Sequence, residues 1–333
     1  KTNNWIYSKP SVSITSDDAY LENQRMKIIG PDSLIFGVDD VDGCAEYFGD
    51  YGLTPAGGGR FEALDGTSVV IRHRDDTSLP TPLETGSMLR KTVYGVADKA
   101  ALDAIAAELR NDREVRQLND GSLETVDDSG FALGFQITIR KQLSLPGETV
   151  NSPGAPIQRP ANVIAADPDA DPKPRSLSHI VYFVPDAERF ETFYAERLGF
   201  VTTDRFTGVG PFMRPAGSNE HHTLFCIQTP PFMQGCEHFT FHMGGPTELM
   251  QAGKRFADKG YETFWGPGRH IYGSNWFWYF NSPVGCHVEY DADMDLHDDN
   301  WVAREAEMGA DTSQIFLFAL RDNWAPSGGP PDK

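Results

Sequence analysis

The stretch His179-Ile-Val-Tyr-Phe-Val-Pro-Asp186, followed by Ala187 to Leu198, decides how the rest of the chain is read. A short apolar run rich in β-branched and aromatic residues predicts a buried strand. The acidic turn and the apolar residues at helical spacing after it predict an amphipathic helix. Three other segments share the signature: Ser33-Leu-Ile-Phe-Gly-Val-Asp-Asp40, Lys91-Thr-Val-Tyr-Gly-Val-Ala-Asp98 and His238-Phe-Thr-Phe-His-Met-Gly-Gly245. Helical spacing recurs over Ala100–Leu109 and Thr247–Ala257, the latter through Leu249, Met250 and Phe256. Strand-like runs close the units at Thr67–His73, Gly130–Thr138, His222–Thr229 and Cys286–Asp291. Self-similarity in a fixed order predicts one supersecondary unit used four times.

Composition bounds what such a chain can be. Its 333 residues suit two domains of ordinary size, and 39% hydrophobic content with 11% aromatics can fill both cores. The Pro-, Gly- and Asp-rich stretch 143–174 reads as a linker between domains at 28–142 and 175–295. A 1–27 extension precedes them, and a 296–333 tail follows. Trp301, Phe316, Phe318 and Trp324 predict that the tail folds back, with the last Pro and Gly residues frayed. The net charge of −19, from 48 acids against 29 bases, opposes nucleic acid and anionic membranes as partners. No run of eighteen apolar residues predicts a membrane span, and Lys1–Tyr20 is polar and broken by Pro10, unlike a secretory signal. Cys44, Cys226, Cys236 and Cys286 lack zinc-site or CxxC spacing and read as reduced, buried thiols of a cytoplasmic protein.

Eight of the nine histidines lie between His179 and His297. Read in frame, the first position of the four strands is Ser33, Lys91, His179 and His238, and only the last two bind transition metals. Glu289 lies in the closing run Val284-Gly-Cys-His-Val-Glu-Tyr290, where the second unit's Ser129-Gly-Phe-Ala-Leu-Gly-Phe135 has Gly134. Two imidazoles and a carboxylate with open positions suit Fe(II) and O2 chemistry. A lone histidine on a strand is more often a satisfied core residue, but two in the same slot of repeated units outweigh that reading. His242 and His287 share strand faces with His238 and Glu289 and are candidates for orienting a ligand. In the pair His221-His222, strand alternation sends the rings to opposite faces, so one faces the site and can move a proton. His270 follows the turn Gly266-Pro-Gly-Arg269, and a hairpin across Asn281–Gly285 brings the Tyr279 hydroxyl near Glu289. Phe212, Met213, Phe232, Met233, Tyr272, Trp276 and Trp278 are candidates for an apolar pocket suited to a bicyclic substrate. No dinucleotide or P-loop motif occurs.

These residues resemble the type I extradiol ring-cleavage dioxygenases of the vicinal oxygen chelate superfamily, the catechol 2,3-dioxygenase and 2,3-dihydroxybiphenyl 1,2-dioxygenase group. The resemblance rests on Leu177-Ser-His-Ile180, Asn219-Glu-His-His-Thr223, Glu237-His-Phe239, Gly268-Arg-His270, Tyr279, Pro283, Gly285 and Glu289. It implies an α+β fold of four βαβββ modules paired into two domains, each an open, incompletely closed β-barrel with helices outside. The first domain corresponds to the inactive duplicate. His179, His238 and Glu289 would bind Fe(II), less often Mn(II). His222 would be the acid/base, and His270 and Tyr279 would hold the catecholic substrate. O2 would be the co-substrate of the ring opening, and both its atoms would enter the product without NADH or flavin. A small-molecule catechol is the expected partner, in a homo-oligomer of aromatic catabolism. Gly273 departs from the acid usual three places after the His of the turn, and Trp278 and Ser282 depart beside Tyr279 and Pro283. The rival readings are a metal-dependent, non-oxidative lyase, isomerase or hydrolase on the same scaffold, and a metal-free binding protein.

Overall fold

Asp40, Asp98 and Asp186 end three of the four repeated strands, and each carboxylate accepts a backbone N–H of the helix that follows, from Gly43, Ala101 and Arg189. Such caps satisfy donors that the first helical turn leaves unpaired. Gly245 at the fourth turn has no side chain to do this. Glu148, from the 143–174 segment, supplies the carboxylate instead, accepting Thr247 N–H at 3.0 Å. The linker is therefore part of the packing. It also receives Gln251 through the Asp167 carbonyl at 2.7 Å and pairs Asp171 with Arg255.

The computed structural model describes residues 26–318 together with Ile6 and Tyr7, which form strand β1. Unit one runs β2 (Ile28–Val38), α1 (Val41–Tyr51), β3 (Thr54–Pro55), β4 (Arg60–Glu62) and β5 (Ser68–His73). Unit two runs β6 (Leu89–Val96), α2 (Lys99–Leu109), β7 (Arg116–Gln117), β8 (Leu123–Val126) and β9 (Ala132–Ile137). Unit three runs β10 (Ser176–Val184), α3 (Ala187–Thr192) with a π-helical turn at Phe193–Arg197, β11 (Phe200–Thr207), β12 (Gly210–Pro215) and β13 (Leu224–Gln228). Unit four runs β14 (Gly235–His242), α4 (Pro246–Asp258), β15 (Thr263–His270), β16 (Trp276–Asn281) and β17 (His287–Ala292). The tail adds β18 (Arg304–Glu307), α5 (Ala310–Ser313) and β19 (Gln314–Leu317).

Each unit closes by laying its last strand parallel to its first, β2 on β5, β6 on β9, β10 on β13 and β14 on β17. First strands then pair antiparallel, β2 with β6 and β10 with β14. The results are an eight-stranded and an eleven-stranded sheet, neither closed into a barrel. The tail does fold back, as the sequence predicts. β18 lies between β1 and β11, and β19 extends the sheet beyond β15. Trp324 and the terminal Pro-Gly run lie outside the described residues.

One buried apolar cluster runs from Met26 to Ala292 through both halves. Helix α1 of the first half contributes much of the contact. Tyr51 stacks on Tyr290 at 4.0 Å, Tyr47 meets Phe256 edge-on at 5.0 Å, and Phe48 meets Phe239 at 6.2 Å. A fully buried phenyl group is worth roughly 1.5–3 kcal/mol of transfer free energy, so this helix ties the two sheets together. All four cysteines are buried and free.

Candidate metal centre

The pairing register places the three candidate ligands on one face of adjacent strands. Val181 of β10 faces His238 of β14, and His179 lies two residues before Val181. Thr240 of β14 faces Glu289 of β17, two residues after His238. A spacing of two keeps side chains on the same face. His179 Nε2 is 3.3 Å from Glu289 Oε2 and 3.4 Å from His238 Nε2. His238 Nε2 is 3.6 Å from the same carboxylate oxygen. Atoms bound about 2.1 Å from one ion at right angles lie about 3 Å apart, so only a small adjustment separates this set from coordination. All three residues are buried, and Glu289 Oε1 makes no hydrogen bond. Its nearest imidazole nitrogen, His270 Nε2, is 3.7 Å away. A buried carboxylate oxygen without a hydrogen-bond donor is costly unless a cation satisfies it, which fits a divalent metal.

The other ring nitrogens are held from behind. His179 Nδ1 meets Ser178 Oγ at 2.9 Å, and that hydroxyl reaches Asp291 at 3.3 Å. His238 Nδ1 bonds to Glu237, whose second oxygen takes His287 Nδ1 at 3.0 Å. His242 bridges Asp291 at 2.6 Å and Glu220 at 3.0 Å. Burial lowers the His242 pKa, but these two carboxylates outweigh it and hold the ring well above the ordinary imidazole value. His242 and His287 thus stand behind the ligand set, with both Nε2 atoms of His179 and His238 turned inward.

Around the set lies a cavity of about 80 Å³ lined by His179, Val181, Phe206, Phe212, His222, Phe225, His238, Trp265, His270, Tyr272, Asn275, Tyr279, Met308 and Ser313. Tyr279 faces Glu289 across the β16–β17 pair, and its hydroxyl is 3.2 Å from His270 Nε2. His270 Nδ1 lies 3.1 Å from the Ser313 carbonyl, which can only accept, so Nδ1 carries the hydrogen and Nε2 presents a lone pair to Tyr279. Burial, reinforced by Glu289, keeps the Tyr279 phenol well above its usual pKa and protonated.

Three expectations need correction. Gly266–Arg269 is not a turn but lies within β15, where the ladder shifts register between Trp265 and Gly268. His221 and His222 precede β13 and do not alternate across a strand. Their rings stand at 87° with Nδ1 atoms 2.9 Å apart, and His221 N–H donates to the Asp295 carbonyl at 2.9 Å rather than into the β12–β13 ladder. Of the proposed pocket residues, only Phe212 and Tyr272 line the cavity. Met213 and Trp278 are core, Trp276 packs against Phe316, and Phe232 and Met233 are exposed. Sequence reasoning missed Val181, Phe206, Phe225 and Trp265. Val181 and Phe225 share strand faces with residues already singled out, a usable signal. Met308 and Ser313 reach the site only through tail pairing, and no local pattern marks them.

Residues 176–290 match the model of the Glyoxalase/Bleomycin resistance protein/Dioxygenase superfamily. Metapyrocatechase 2 of Cupriavidus necator is 35% identical over 122 residues, 37% of this chain and 38% of that protein, so the match spans well under two thirds of the relative. Biphenyl-2,3-diol 1,2-dioxygenase of Paraburkholderia xenovorans (strain LB400) is 27% identical over 218 residues, 63% of this chain and 70% of that protein. The Mn(II)-bound glyoxalase from Novosphingobium aromaticivorans shares the fold with a TM-score of 0.67 at 20% identity, covering 86% of this chain and 90% of the other.

Proposed function

From the match of residues 176–290 to the glyoxalase/bleomycin resistance protein/dioxygenase superfamily, we propose that this chain is an extradiol dioxygenase that opens a catecholic ring with O2. The observation that carries the reading is the buried Glu289 carboxylate, with Oε1 unsatisfied and Oε2 within 3.3 and 3.6 Å of the inward His179 and His238 nitrogens, beside an apolar cavity that also holds His222, His270 and Tyr279. The names of the two curated relatives, a metapyrocatechase and a biphenyl-diol dioxygenase, support it.

His179, His238 and Glu289 would hold Fe(II), or Mn(II) in its place. The ion would supply Lewis-acid activation of two adjacent substrate oxygens and an open position for O2. The remaining work falls to side chains. His222 accepts a proton from a substrate hydroxyl and returns it later; burial, with the neighbouring His179 and His221 rings, holds its pKa well below the usual value, so it is neutral and ready to accept. Tyr279 O–H and His270 Nε2 orient the bound diol. Val181, Phe206, Phe212 and Phe225 exclude water from the ring. Residues 28–142 and 175–295 serve as the two domains, the second catalytic. Exposed Leu296, Ile315, Leu317 and Phe318 support a homo-oligomer, and the free thiols support a cytoplasmic location.

The test is oxygen uptake by anaerobically purified, Fe(II)-loaded protein given catechol, 3-methylcatechol and 2,3-dihydroxybiphenyl. One O2 consumed per diol, with a new yellow product, is expected. Tight metal binding without uptake on any diol would overturn the reading. It would favour the non-oxidative chemistry to which the fold shared with a glyoxalase gives room.

A further inference from the structure

A neutral imidazole can accept a proton only at the nitrogen that carries no hydrogen, and the partner of its other nitrogen decides which that is. At His222 the decision is made by a buried chain of groups leading away from the cavity. His222 Nδ1 lies 2.9 Å from His221 Nδ1, so one of the two donates and the other accepts. His221 Nε2 lies 2.7 Å from Asp204 Oδ2. Asp204 is fully buried; its Oδ1 takes Arg304 N–H at 2.8 Å and Nε at 3.1 Å, and its Oδ2 takes Arg304 Nη2 at 2.5 Å beside His221. Burial pushes the Asp204 pKa up, but His221 and Arg304 outweigh it and keep the group an anion that can only accept. His221 must then carry its hydrogen on Nε2, which leaves its Nδ1 as the acceptor. His222 must donate from Nδ1, and its Nε2 is left with the lone pair.

The fit of His221 depends on a missing side chain. Gly273 has φ +80°, and a Cβ there would stand 3.0 Å from His221 Nδ1 and 3.0 Å from Asn275 Oδ1. The left-handed backbone disfavours other residues as well.

We propose that Asp204, acting through His221, is a positioning residue that fixes His222 with its lone pair on Nε2, and that Gly273 makes the room this arrangement needs. The inference rests on the acid/base role of His222 given above.

Asp204→Asn tests it at nearly constant volume, with loss of the Arg304 Nη2 bond to Oδ2. With the amide oxygen keeping the bonds from Arg304 N–H and Nε, the NH2 faces His221 Nε2 as a donor. His221 then accepts at Nε2 and donates from Nδ1, and the His222 hydrogen moves to Nε2. Two readouts follow. ¹⁵N NMR of the full chain loaded with diamagnetic Zn(II) should show His222 protonated at Nδ1 in the wild type and at Nε2 in Asp204→Asn. In the Fe(II) form, kcat for catechol should fall on the order of 10²-fold, with KM and iron content unchanged, because only proton transfer is lost. Loss of iron and a raised KM together would show a merely structural role and overturn the proposal. So would a wild-type His222 protonated at Nε2, a result that stands even if the variant fails to fold. Gly273→Ala should likewise lower kcat at constant KM, and an unchanged kcat would overturn its part. If the wild type consumes no O2 with any diol, the ring-cleavage reading fails, while the tautomer measurement still judges the Asp204–His221 chain separately.

Discussion

Replacing Tyr51 by Phe removes one hydroxyl from helix α1 in the half of the chain that holds no candidate ligand. Its effect should nevertheless be felt at the metal centre. Tyr51 O–H donates to the main-chain carbonyl of Glu289 at 2.6 Å across 238 residues of sequence, and Tyr290 O–H returns a bond to the Tyr51 carbonyl. The two rings are stacked at 4.0 Å and 2°, a contact Phe preserves, so the substitution isolates the hydroxyl. A buried hydrogen bond is worth about 1 kcal/mol net, rising towards about 3 kcal/mol if the carbonyl is left without a partner. Urea unfolding of the metal-free protein should therefore show a loss of about 1–3 kcal/mol. Groups that orient a ligand from behind typically contribute 10–100-fold in metal affinity. An anchor on the ligand's main chain belongs at the low end, so Zn(II) or Mn(II) affinity, read by competition with a chelating dye, should fall about tenfold. Lower stability with unchanged affinity would refute the coupling and reduce Tyr51 to packing. No change in either would show that the bond is not formed in solution.

Glu289→Ala should abolish tight metal binding and activity together, whereas His222→Ala should keep the metal and lose about 10²–10⁴-fold in kcat; metal analysis beside oxygen uptake separates them. Burial raises the Asp127 pKa from 3.8 to about 7, so between those values the native state holds a proton that the unfolded chain has released. Stability should fall as pH rises through that window, by up to roughly 4 kcal/mol, and Asp127→Asn should flatten the slope of unfolding free energy between about pH 4 and pH 7. In α4, a Cβ on Gly253 would stand 2.2 Å from Trp278 Cε3, so Gly253→Ala should lower stability by about 1–3 kcal/mol in urea titration despite the gain in helix propensity.

The repeat was legible because each unit must bury a continuous apolar strand under an amphipathic helix, and both periodicities survive in the sequence. Boundaries were less so. The four first strands begin at Ile28, Leu89, Ser176 and Gly235, two to five residues before the sequence signature, since sheet pairing extends a strand beyond its most apolar core. The ligand positions were readable for a simpler reason: a period of two carries a side chain's face along a strand, and the repeat supplies the frame. What could not be read was contact between distant segments. Glu148 capping α4, Ser313 fixing His270 and Arg304 holding Asp204 all arise from the linker or the tail. Their residue types carry no signal of where the chain will bring them. Gly273 belongs with these, because its small size is explained only by the His221 ring beside it.

The frame also explains why two halves built alike differ in chemistry. Ile35 faces Lys91 as Val181 faces His238, and Val93 faces Gly134 as Thr240 faces Glu289. Ser33, Lys91 and Gly134 therefore stand where the second half has His179, His238 and Glu289. Each is occupied locally. Ser33 Oγ pairs with Ser68 Oγ at 2.9 Å, Lys91 pairs with Glu124 at 2.7 Å, and a Cβ on Gly134 would stand 3.1 Å from Val93 Cγ2. Restoring a ligand at one position would leave a buried polar group with no partner at the other two, which is costly. The lack of a ligand cluster among the described residues of the first half is thus stable against single substitutions. Freed from converging donors, its surface can instead hold the second sheet, through Tyr51 on Glu289, Asp127 on Tyr194 and Thr92 on Tyr182.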